Sequence, residues 1–138
     1  MPAKNSAQKK LNSVEQRELD TKIEFIEGLV RRDPNYVDAL QILGDHYTQR
    51  GRIDEGLKVD QRLACLEPAN PLVFYNLACS YSLAADVQHA ATALDKALQL
   101  GYRDFDWLAK DPDLKLLRAH PVFNYLKGRI RQLKAKDR

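Results

Sequence analysis

Long apolar runs are missing: none exceeds four residues, as in Leu63 to Leu66 and Leu72 to Tyr75, whereas a membrane-crossing helix needs about 20. The chain is therefore expected not to span a bilayer. With only two cysteines among 138 residues, a disulfide framework is excluded. The first thirty residues also lack the apolar core of a secretory signal, so the expected setting is cytoplasmic. Val, Ile and Thr are scarce, while Ala, Leu, Lys, Arg and Glu make up close to half the residues. That balance favours helices over strands and predicts an all-α chain.

Acidic residues are scarce at both ends. Residues 1–10 hold Lys4, Lys9 and Lys10 with no acid, and residues 127–138 hold six Lys or Arg against Asp137 alone. Since the whole chain is only +3, the body between is net acidic. Basic ends on an acidic body suit contact with nucleic acid, a ribosome or an anionic membrane surface through phosphate charge. A plainer reading makes them solvated ends, and no aromatic residue lies among the last twelve to stack on a base.

The chemistry of catalysis has no visible constellation. His46, His89 and His120 are scattered, and no Cys-x-x-Cys, His-Glu-x-x-His or phosphate-cradling glycine loop occurs. Asp111 and Asp113 flank Pro112, where they read as capping and dipole partners at a helix start rather than as a carboxylate dyad. Cys65 and Cys79 read as small apolar residues without a redox role. No catalytic, cofactor or metal residue is assigned, and the chain is expected not to be an enzyme.

What the sequence does contain is a 34-residue period. Residues 37–70 align on residues 71–104, placing Leu40 over Phe74, Leu43 over Leu77, Gly44 over Ala78, Tyr47 over Tyr81, Gly56 over Ala90 and Leu63 over Ala97. Leu40, Leu43 and Tyr47 fall at helical spacing and form one apolar stripe, repeated by Phe74, Leu77 and Tyr81. A turn follows each stripe before a second helix, with Asp54 and Asp86 as N-cap candidates. A leading helix over 13–32 has Ser13 to Gln16 as its capping box.

These residues resemble the tetratricopeptide repeat, whose pattern runs bulky residue, Leu-Gly, Tyr, a later small residue and a closing Pro. The first copy reads Leu40, Leu43-Gly44, Tyr47, Gly56, Leu63, Pro68. The second reads Phe74, Leu77-Ala78, Tyr81, Ala90, Leu94, Ala97, with Tyr102 where Pro is expected. Leu108, Asp111 to Leu114, Leu117-Arg118 and Pro121 to Phe123 look like the closing segment of some such arrays. The expected architecture is an α-solenoid of antiparallel helix pairs. A basic disordered tail occupies 1–12 and a helical domain 13–126, in which residues 105–126 form the cap. The basic end of the last helix and a tail occupy 127–138. Val122, Phe123, Leu126, Ile130 and Leu133 form a stripe with which that helix covers the second repeat.

The resemblance implies a non-enzymatic protein-binding module whose concave groove is lined by first-helix residues off the core stripe. In one copy these are Asp38, Gln41, Asp45, Thr48 and Gln49; in the other, Leu72, Tyr75, Asn76, Cys79 and Leu83. Tyr75 with Leu72 would anchor an apolar and basic peptide beside Asp38 and Asp45. The carboxylate clamp of one family subgroup is not expected, because Asp45 and Asp106 stand where it would need neutral or positive groups. Gln41, Asn76 and Lys110 fill its other positions. Other readings are a small secretion-type chaperone and self-association through exposed helical edges. Gly56→Ala is expected to stabilise by about 0.5 to 1 kcal/mol if the helix crossing tolerates a methyl, and Ala90→Arg to unfold the chain.

Overall fold

The computed structural model describes residues 10–137, and the expected features of residues 1–9 and 138 lie outside it. The described chain is all-helical: α1 (Ser13–Arg32), α2 (Val37–Gln49), α3 (Ile53–Leu66), α4 (Pro71–Leu83) and α5 (Val87–Gln99) are followed by four shorter or terminal elements. These are α6 (Phe105–Leu108), a 3-10 turn (Pro112–Leu114), α7 (Lys115–Ala119) and α8 (Phe123–Lys136). Among the described residues no helix is long and apolar enough to cross a membrane.

Local chemistry sets the helix ends. Asn12, rather than Ser13, caps α1: its side chain accepts the Glu15 amide at 2.8 Å while Glu15 accepts the Asn12 amide at 3.1 Å. Both registers offer a box, and the one realised puts Glu15 at the third helical position, where its negative charge meets the positive end of the helix dipole. The cap ties down residues expected to belong to a tail, and Leu11 packs on the first core cluster. Asn70, Asp86 and Asp104 cap α4, α5 and α6 as side-chain acceptors. Asp54 does not cap α3; it lies inside the first turn, where its charge meets the positive end of the helix dipole.

From α1 to α5 each helix packs on the next. The cores are correspondingly local. Leu19, Ile23, Leu43 and Tyr47 join α1 to α2, and Leu40, Leu63 and Val73 join α2, α3 and α4. The 34-residue period reappears in the contacts between these elements. Tyr47 donates its hydroxyl to Glu27, and the Tyr81 hydroxyl accepts from Gln61 Nε2 at 3.1 Å; each partner lies in the helix preceding that tyrosine's own.

After α5 the chain reverses onto itself. Gly101 takes φ +112° and the Tyr102 amide closes on the Ala97 carbonyl, a left-handed helix end that glycine accommodates without a Cβ clash. The 3-10 turn and α7 then return to α4, while α7 and α8 lie on α5. α8 is tied there by Arg129 to Asp95 at 3.3 Å, and Leu126 is buried in the large cluster shared by α4, α5 and the cap. The last helix thus lies against α5 and α7.

Two substitutions test this packing. A Cβ on Gly56 would stand 2.9 Å from Thr48 Oγ1, and that hydroxyl is held by its bond to the Gly44 carbonyl. The crossing does not accept a methyl, which reverses the sequence expectation. Gly56→Ala should destabilise by about 1 to 3 kcal/mol in urea unfolding, and by less in a Thr48→Ala background. Ala85 occupies the turn position matched by Gly51, and both have positive φ, 63° and 85°. Relieving the left-handed alanine, Ala85→Gly should stabilise by about 1 kcal/mol in the same measurement.

Candidate docking surface

One face of α2 remains open. Asp38 and Gln49 are exposed, and Gln41 and Asp45 are half-buried. Between them Ile42 is 45% exposed, although the residue pattern had not singled it out. Spacings of three and four put these residues on one strip, apolar in the middle and acidic beside it. Thr48, expected on the same strip, is buried and spends its hydroxyl on the Gly44 carbonyl at 3.0 Å. Its place on the wall is corrected to one in the helix crossing.

The wall of α4 is covered by the chain itself. Tyr75, the expected anchor, is fully buried: its ring stacks on Tyr102 at 4.2 Å and its hydroxyl donates to Asp111 Oδ2 at 2.7 Å. Cys79, also expected to face a partner, is buried and directs its thiol at the same oxygen at 3.6 Å. The cause of both corrections is the cap. The residue that replaces the expected proline after α5 turns inward as Tyr102, and residues 111–117 follow it back over α4. Leu72 is half-buried against this core, and Asn76 and Leu83 are half-buried.

The covering segment is pinned by polar contacts. The other Asp111 oxygen accepts the Asp113 amide at 3.0 Å, which is the capping role expected of it. Ser82 accepts the Leu117 amide at 3.3 Å. Arg118 reaches back to the carbonyls of Leu108 at 2.9 Å and Asp111 at 2.7 Å. Burial, with the negative charge of Asp111 added, holds the Tyr75 phenol far above its usual pKa, so it stays a donor. Cys79, Asp111 and Asp113 offer a thiol and two carboxylates with donor atoms all within 4.8 Å of one another. That donor set has metal-like spacing, but Asp111 already serves as an acceptor for Tyr75 and for the turn backbone. The geometry therefore reads as a latch.

Folding the cap back also creates a cleft of about 390 Å³ between α6 and α8. Its floor is Phe105, Leu108, Phe123 and Ile130, and Lys127, Arg131 and Lys134 stand on its rim. The three cations recur at spacings of four and three, so one face of α8 carries them. That spacing was legible in the basic C-terminal stretch; the apolar floor, which needs α6 opposite, was not.

No family model matches the chain. Over 86 residues, 60% of its length, the chain is 34% identical to a chloroplastic protein of Arabidopsis thaliana. The match spans 26% of that protein, so this chain corresponds to about a quarter of its relative's length.

The latch predicts a specific loss. Tyr75→Phe keeps the ring stack but leaves Asp111 Oδ2 with only a weak thiol donor, which should cost about 1 to 3 kcal/mol in thermal or urea unfolding. A variant as stable as the parent would mean that the hydroxyl bond does not hold the cap.

Proposed function

We propose that this chain is a non-catalytic protein-binding module, a short tetratricopeptide-like solenoid that holds a partner segment along the open strip of α2. The observation that carries the reading is the repeated contact of Tyr47 with Glu27 and Tyr81 with Gln61. A period that recurs in how units touch, and not only in residue types, is what a stacked array requires. Such an array leaves one face of its first helices free. Here the cap removes α4 from that face and concentrates it on α2.

The partner that suits the strip has an apolar side chain to cover Ile42 and basic groups to meet Asp38 and Asp45. Ile42 supplies the apolar contact that the sequence had assigned to Tyr75. The Asp111 carboxylate and the carbonyls of Leu108 and Asp111 are engaged in holding the cap, so the reading gives them no chemistry.

The test is affinity capture with mass spectrometry at two ionic strengths, comparing the parent with Asp38→Lys combined with Ile42→Arg. Both side chains are exposed, so the melting temperature should hold while at least one captured protein falls by about tenfold or more. Identical capture profiles from two equally stable proteins would refute the α2 strip.

A further inference from the structure

We propose that the cleft between α6 and α8 is a second docking site, for an acidic peptide segment carrying an apolar or aromatic side chain. Its lining contains four cations, Arg118, Lys127, Arg131 and Lys134, and no acidic residue. The α2 strip is acidic and apolar, so the two sites select partners of opposite charge.

The cations are not equivalent. Arg118 is fixed by its bonds to the Leu108 and Asp111 carbonyls, so its charge is set in place before any ligand arrives. Lys134 lies over the Phe105 ring at 5.7 Å. Lys127 and Arg131 are exposed, and among the described residues neither has an acidic partner. Arg129, on the adjoining face of the same helix, does have one in Asp95. The helix thus sorts its basic residues, turning Arg129 to the body and leaving Lys127, Arg131 and Lys134 on the cleft rim.

The floor decides the ligand class. Leu108 and Phe123 are buried, and Phe105 and Ile130 are half-buried, giving an apolar recess within the size range of ligand sites. A phosphate backbone would satisfy the rim and leave that recess wet. A peptide with carboxylates flanking an apolar side chain fills both, gaining charge attraction at the edge and apolar burial at the centre.

This inference shares with the preceding section only the premise that the chain binds proteins. The probe is a fluorescein-labelled peptide in which glutamates flank a Phe-Leu pair, read by anisotropy against the full chain. Two controls replace the glutamates by lysines or the Phe-Leu pair by serines. The glutamate peptide should bind, and weaken with added salt. It should lose about tenfold in affinity to Lys127→Glu combined with Arg131→Glu, whose unchanged melting curve shows that the fold is kept. Ile42→Arg should leave this binding intact, so failure here and failure of the α2 strip are read separately. The proposal is overturned if the glutamate peptide does not bind, if the double variant binds it equally, or if the serine control binds as well. Displacement of the probe by a polyuridine oligomer at lower concentration than by unlabelled peptide would likewise overturn it, assigning the rim to nucleic acid.

Discussion

Between the Tyr75 hydroxyl and the Asp111 carboxylate runs the contact that settles which surfaces of this molecule face inward. Through it the segment after α5 is held over α4, and one carboxylate serves at once as N-cap of the 3-10 turn and as acceptor for a side chain 36 residues earlier. The Tyr75–Tyr102 stack adds about 0.5 to 1.5 kcal/mol beyond the burial of the rings. Arg118 and Ser82 satisfy the backbone of the returning segment, which would otherwise carry orphaned polar groups into the interior. With the cap in that place α4 has no free wall, α2 keeps one, and a new cleft opens where α6 meets α8.

The body obeys a different economy of contacts. Its helices touch their sequence neighbours, so each junction needs its own small core and its own close approach. At the α2–α3 crossing that approach leaves no room for a Cβ on Gly56, because Thr48 already occupies the space. At the matching crossing of the next pair Ala90 is fully buried, and a methyl is part of the packing. The same period therefore tolerates different residues at equivalent positions, according to what stands opposite.

The helices were largely legible in the sequence because their signals are local. The stripe of Leu40, Leu43 and Tyr47, its repeat at Phe74, Leu77 and Tyr81, and the cap at Asp86 each act within a turn or two of the chain. Tyr75 was misread because its environment is made by residues far along the chain. Nothing in the neighbourhood of Leu72 to Cys79 announces that Tyr102 and Asp111 will return to cover it. Asp111 itself was half legible: its capping role depends on the next two residues, its role as acceptor on a distant helix. Gly56 failed for a similar reason, since the orientation of one hydroxyl on the facing helix decides the sign. The α8 cations could be counted on one face in advance, but a cleft needs two walls.

The three hydrophobic clusters are unequal, and the inequality gives the molecule a direction. Two are small and join neighbouring helices near the amino end, whereas the third gathers sixteen buried side chains from α4 to α8. Local opening follows the weakest junction. Amide exchange should accordingly proceed from α1 inward, with α4 and α5 the last to release their protons, so that the α2 strip sits on the breathing half of the molecule and the α6–α8 cleft on the rigid half.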